Sequence, residues 1–112
     1  MLLTEIFDAI LGDRIRKMGN AAWPIAHGAV ERYIVERIAD NALTCTICCD
    51  YRVDDRLYTA NIKKTVPTER EAVYLFSIYH VGLDLAVRYK PGQPNINVVR
   101  DADNLEVSQR YV

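Results

Sequence analysis

Several shortages in this sequence each remove a class of protein. No apolar run approaches the ~20 residues needed to cross a bilayer as a helix, since the longest uninterrupted one covers only residues 72–76. The start of the chain carries Glu5 and Asp8 where a signal peptide would carry bases, so the expected setting is cytoplasmic. Charge of either sign is not in surplus: 14 Lys and Arg stand against 15 Asp and Glu, for a net charge of -1. Such a balance creates no overall field to draw in phosphate backbones, and no nucleic-acid partner is expected. Cysteine is scarce, and Cys45, Cys48 and Cys49 form an odd set packed into one short stretch, which is no disulfide framework. The five glycines are scattered, so there is no glycine-rich loop to cradle a phosphate.

What is present suits one small domain. Half of the 112 residues are hydrophobic and 26% are charged, an ordinary globular balance that argues against disorder or a coiled coil. A chain of this length builds one core. Residues 1–20 read as an N-terminal amphipathic helix and residues 21–112 as a β-rich remainder of the same domain. Within residues 2–18, Leu2, Leu3, Ile6, Phe7, Ile10, Leu11, Ile15 and Met18 share a broad stripe at 3.6 residues per turn. Acids lie early and bases late, which suits the helix dipole, and Gly19-Asn20 offers a left-handed stop. Gly12 weakens the middle, and Arg14 falls inside the stripe.

Beyond Trp23-Pro24, where the residue before proline avoids the helical region, the chain turns to strands. Gly28 opens a first strand over residues 29–38, and Ala39-Asp40-Asn41 is a hairpin loop. A clean alternation follows: Leu43, Cys45, Ile47, Cys49, Tyr51 and Val53 face one way, and Thr44, Thr46, Cys48, Asp50 and Arg52 the other. Taking Asp54-Asp55 as a two-residue turn pairs Val53 with Arg56, Tyr51 with Tyr58, Cys49 with Ala60 and Ile47 with Ile62. Apolar then opposes apolar.

Lys63 to Pro67 breaks the alternation, and Thr68 with Glu71 forms a capping box that starts a helix carrying Ala72, Val73, Leu75, Phe76 and Tyr79. Gly82 admits a fourth strand with Leu85, Val87 and Tyr89 in the core. Pro91-Gly92-Gln93-Pro94 reads as a turn or short loop, Asn95 to Arg100 as a fifth strand, and residues 105–112 are too short and mixed to place. The expected fold is α+β: a five-stranded, strongly bent antiparallel sheet or small OB-like or SH3-like barrel, with a helix between strands three and four.

Trp23-Pro24 with Gly28 and Val30, the Tyr51-x-Val53 to Tyr58 hairpin, and Tyr79-x-x-Gly82 followed by Val87-x-Tyr89-x-Pro91-x-x-Pro94 together resemble the bacterial family called domain of unknown function 3592. The resemblance covers roughly residues 23–100. It implies a fold type, and that family supplies no catalytic residues to carry over. Its members often bear membrane-spanning helices beside the domain, where this chain has an amphipathic helix.

Cys45, Cys48, Cys49, His27 and His80 are the metal-ligating candidates, but along a strand Cys45 and Cys49 stand about 13 Å apart while Cys48 points to the other face. No metal or cofactor is expected. Cys45 and Cys49 read as core residues and Cys48 as a surface or interface thiol, and neither histidine is placed by the sequence to activate it. No catalytic residue is expected, and the domain reads as a non-enzymatic interaction or scaffold module. It would self-associate or dock on a protein partner through the N-terminal stripe, with Leu3, Phe7, Ile10 and Arg14 in contact, or through an open sheet edge. The same stripe also fits peripheral contact with a membrane surface. The competing reading is an OB-like domain for a small molecule or single-stranded nucleic acid, with Tyr51 and Tyr58 on the strands where such barrels stack bases.

Overall fold

The first three strands form a meander whose turns are written in the sequence. In the computed structural model, which describes residues 19–111, β1 spans Ile25–Ala39, β2 Ala42–Val53 and β3 Arg56–Val66. Asp54 and Asp55 take φ of 52° and 68°. Two left-handed residues in succession match the twist of the flanking strands, and Asp tolerates that region better than most side chains. The resulting register pairs Val53 with Arg56, Tyr51 with Tyr58, Cys49 with Ala60 and Ile47 with Ile62, as the alternation requires.

Helix α1 (Glu69–Ile78) follows, capped by the Thr68 hydroxyl, which accepts from the Glu71 amide at 3.2 Å. β4 (Asp84–Lys90) pairs with the first half of β1, and β5 (Gln93–Val98) pairs with β4. A single 3-10 turn (Asp101–Asp103) leads into α2 (Leu105–Arg110). The strand order is β3-β2-β1-β4-β5 with every neighbouring pair antiparallel, so β3 and β5 run in the same direction. The sheet curls until they meet, where the Asn97 side-chain amide donates to the Thr59 carbonyl at 3.1 Å. It is a nearly closed, barrel-like sheet.

Its inward face is one apolar cluster built from Val30, Leu43, Cys45, Ile47, Cys49, Tyr51, Ala60, Val66, Leu85 and Val87. Ala72, Leu75 and Ile78 of α1 and Val107 of α2 pack on it. Two irregularities in β1 allow the curl. At Gly28 a β-carbon would lie 2.7 Å from both the Asp50 carbonyl oxygen and the Cys49 Sγ, so only glycine lets β1 press this closely on β2. Between Val30 and Arg32 one extra residue, Glu31, enters β1 as a bulge. A bulge bends its strand, and here it carries the second half of β1 away from β4.

Several elements differ from the sequence reading. The apolar stripe of residues 2–18 lies outside the described residues, but the stop assigned to Gly19-Asn20 is displaced, because residues 19–22 are helical and the chain breaks at Trp23 instead. The pre-proline restriction at Trp23 outweighs the left-handed preference of Gly19-Asn20. β1 starts at Ile25 rather than after Gly28, and β3 runs on through Lys63 to Val66 rather than breaking, since Thr65 and Val66 find ladder partners in Thr44 and Leu43. Pro91-Gly92 alone makes the turn, with Gly92 at φ 81°; Gln93 pairs with Lys90 and Pro94 lies within β5, which ends at Val98 rather than Arg100. Residues 105–110 are helical, because Val107 has core to bury in.

Cys48 also departs from its reading as a surface or interface thiol: it is only 2% exposed. It stands between Arg32 and Asn61, and Thr46, buried too, between Ile34 and Lys63. Small side chains flanked by long ones on both neighbouring strands are covered by them. Of the apolar residues expected on α1, Ala72 and Leu75 are buried together with Ile78, while Val73 is exposed.

Candidate functional site: the open edge of the first strand

β1 pairs with β2 from Gly28 to Ala39 but with β4 only from Ile25 to Ala29. Val30 makes the last contacts on that side: its amide donates to the Leu83 carbonyl at 3.0 Å, and its carbonyl accepts from the Gly82 amide at 2.8 Å. Beyond it, residues 31–39 have no backbone hydrogen bond on that side from any described residue. An edge of this kind presents unpaired N–H and C=O groups that can template another strand.

The bulge fixes which groups point outward. Val30 directs its amide and carbonyl away from β2; one residue is inserted, and pairing then resumes with Arg32 opposite Cys48 and Tyr33 opposite Ile47. Alternation along an antiparallel ladder gives the outward groups to Tyr33, Val35 and Arg37, while Arg32, Ile34 and Glu36 bond to β2. Tyr33 and Val35 lie on the inward face with Ile47 and Cys45, and Ile34 lies on the outward face with Thr46. Ile34, Val35 and Ile38 are 54%, 49% and 57% exposed, so the edge is apolar on both faces.

Side-chain contacts tie this edge to the rest of the domain. The Tyr33 ring stacks on Phe76 with centroids 4.0 Å apart, and its hydroxyl donates to the Tyr79 carbonyl. The Arg37 guanidinium donates to Glu69 Oε1 at 3.0 Å and to the Asp40 carbonyl at 3.2 Å. Strand, helix and hairpin turn are thus tied together, and burial pushes the Tyr33 phenol above its ordinary pKa.

Elsewhere the candidate chemistry does not assemble. Leu3, Phe7, Ile10 and Arg14 lie outside the described residues. Cys45, Cys48 and Cys49 are all buried and free. Burial, with Asp50, Asp84 and Glu31 nearby, pushes the Cys49 thiol up to about 12, so it stays protonated at neutral pH and is a poor nucleophile. His80 is exposed beside the Val81 carbonyl, and exposed His27 sits 3.5 Å from Asp84. His27 and Asp84 border two open clefts, one toward α2 and one toward Asp50 and Arg52. Among the described residues, no group of three or more His, Cys, Asp or Glu side chains is placed to hold a metal ion. No helix among them is long and apolar enough to cross a membrane.

Tyr51, the residue an OB-type ligand face would present, is 1% exposed and points inward. Its hydroxyl donates to the Pro94 carbonyl and accepts from Asn97. Sequence reasoning anticipated an open edge but did not place it. The doubled Glu-Arg of Glu31-Arg32 and Glu36-Arg37, bracketing Tyr33-Ile34-Val35, was the available signal.

No family model matches the chain, and no curated protein or solved structure matches it.

Proposed function

We propose that this protein is a non-catalytic interaction module that takes up an extended strand of a partner along residues 31–37 of β1. The observation that carries this reading is the exposed edge on which Ile34 and Val35 present apolar side chains to opposite faces and Tyr33 and Val35 present backbone groups outward. Strand addition uses those features: backbone pairing supplies affinity and alternate side chains supply selectivity. The resemblance to domain of unknown function 3592 points the same way, since that family offers no catalytic residues. The strand order β1-β2-β3-β5-β4 around the sheet also suits an OB-like barrel, but burial of Tyr51 weighs against a ligand face on β2 and β3.

The test is a titration of the domain with an extended probe peptide copying residues 31–37, followed by amide exchange. Saturable binding with new protection at Tyr33 and Val35 is expected, and Val35→Pro should abolish it. Proline there removes an outward donor and leaves the ladder to β2 intact, as edge strands tolerate. Binding that survives Val35→Pro in a folded domain sinks the reading. Loss in Phe7→Asp but not in Val35→Pro moves the site to the N-terminal stripe.

A further inference from the structure

We infer that the strand taken up by this edge is the same segment of a second copy, paired antiparallel about Ile34, an inference that rests on the edge reading above. A two-fold axis perpendicular to a sheet keeps each side chain on its face, and neighbouring residues alternate faces. A symmetric pair of β1 edges must therefore place some residue opposite itself. The regular segment Arg32–Arg37, bounded by the bulges at Val30/Arg32 and Arg37/Ala39, allows few choices.

Centring on Arg32, on Glu36 or on Arg37 sets like charges face to face, which destabilises a cross-strand pair. Centring on Tyr33 puts Arg32 against Ile34, and centring on Val35 puts Glu36 against Ile34. Only a centre at Ile34 places Arg32 of each copy opposite Glu36 of the other, Ile34 opposite Ile34, and Tyr33 opposite Val35. By symmetry the Arg32–Glu36 pair forms twice.

The hydrogen-bond phase agrees with that register. Tyr33 and Val35, the residues with outward backbone groups, face each other and exchange both bonds. Ile34 and the Arg32–Glu36 pairs then occupy the non-hydrogen-bonded positions, where opposed side chains come closest. Charged residues on an edge ordinarily discourage pairing. Here their signs admit one partner in one register. Among the described residues Arg32 meets one carboxylate of its own copy, Asp50 at a distant 4.0 Å, while Arg37 is already engaged by Glu69, so the register is set by Arg32 and Glu36. The paired stretch is short, so the dimer dissociates on dilution.

Sedimentation equilibrium on the full chain tests this with complementary reversals. Arg32→Glu and Glu36→Arg should each weaken the dimer at least about tenfold, because each puts two like-charge pairs across the axis. An equimolar mixture of the two variants should associate again, since both contacts then join opposite charges. The chain carrying both reversals should recover a homodimer. All three variant chains change exposed sites, and unchanged thermal unfolding confirms that they fold.

A mixture no tighter than its components overturns the proposal. A wild-type chain that stays monomeric while still binding the probe peptide overturns the second copy and leaves the edge reading standing. A dimer indifferent both to charge reversal and to Val35→Pro overturns both.

Discussion

Asn97 of β5 donates its side-chain amide to the hydroxyl of Tyr51 on β2 at 2.9 Å, and through this pair the last strand is fastened across the barrel to a strand it does not adjoin in the sheet. The same amide reaches the Thr59 carbonyl on β3. One side chain therefore bridges β5 and β3, the two margins of the curled sheet. The Tyr51 hydroxyl in turn holds the Pro94 carbonyl, which gives both polar groups partners in an otherwise apolar setting.

Tyr51→Phe keeps the ring stacked on Tyr58 and removes only the hydroxyl. Loss of those bonds, with the Pro94 carbonyl left short of a partner while the Asn97 amide keeps the Thr59 and Asn95 carbonyls, is expected to cost about 1–3 kcal/mol. Tyr51→Ala, which empties a core site, is expected to cost about 3–5 kcal/mol. Urea unfolding measures both, and a Tyr51→Ala domain as stable as wild type would contradict the interior placement.

Gly28→Ala forces a methyl group to within 2.7 Å of the Asp50 carbonyl and the Cys49 sulfur. The carbonyl is held by the ladder, so β1 must shift, and a loss of about 1–3 kcal/mol is expected. The same substitution at Gly92 meets no atom within 4 Å but carries a left-handed φ of 81°, so its cost is conformational and near 1 kcal/mol. Denaturant midpoints of the two variants compare steric with backbone strain.

Stability should fall on the alkaline side. Cys49, with an ordinary thiol value of 9.0, is pushed up to about 12 in the folded protein by burial and by Asp50, Asp84 and Glu31. Burial also raises Tyr51, Tyr79 and Tyr33 above 10. A group whose pKa is raised on folding ionises first in the unfolded chain. Its contribution is complete below pH 9 and is lost progressively as pH climbs from 9 toward 12. Thermal midpoints across that window, with Cys49→Ala losing part of the slope, check the sign. A thiol reagent at neutral pH should label Cys49 no faster than the domain opens.

The C-terminal segment depends on one ion pair. Arg88 Nε and Nη2 donate to the two carboxylate oxygens of Asp103 at 2.8 and 2.9 Å, and Arg88 Nη1 donates to the Trp23 carbonyl at 2.7 Å. The bidentate bond to Arg88 holds the Asp103 carboxyl below its usual value. Its stabilisation is therefore present above pH 4 and lost as pH falls through the folded value. Asp103→Ala is expected to cost about 1–3 kcal/mol and to speed amide exchange in α2, which Asn104 otherwise pins to Ala86 through two hydrogen bonds.

Local patterns carried most of the strand arithmetic. The alternation from Leu43 to Val53 and the Asp54-Asp55 turn specify the β2–β3 register by themselves, because period two and turn chemistry are properties of neighbouring residues. The cap at Thr68 was legible for the same reason. Cys48 was not, since the covering side chains, Arg32 and Asn61, come from strands remote in sequence. The last helix escaped notice because six residues have little helical preference of their own, and Leu105–Arg110 gains its stability from burying Val107.

The edge divides in the same way. The doubled Glu-Arg around Tyr33-Ile34-Val35 is in the sequence, and with it the charge arithmetic of a symmetric pair. That this segment is an edge at all was decided by the tertiary structure. The Glu31 bulge bends β1 away from β4, and the closing of β5 toward β3 engages the other margin of the sheet. Strand pairing between distant segments selects which backbone groups stay unpaired, and no local pattern encodes that choice.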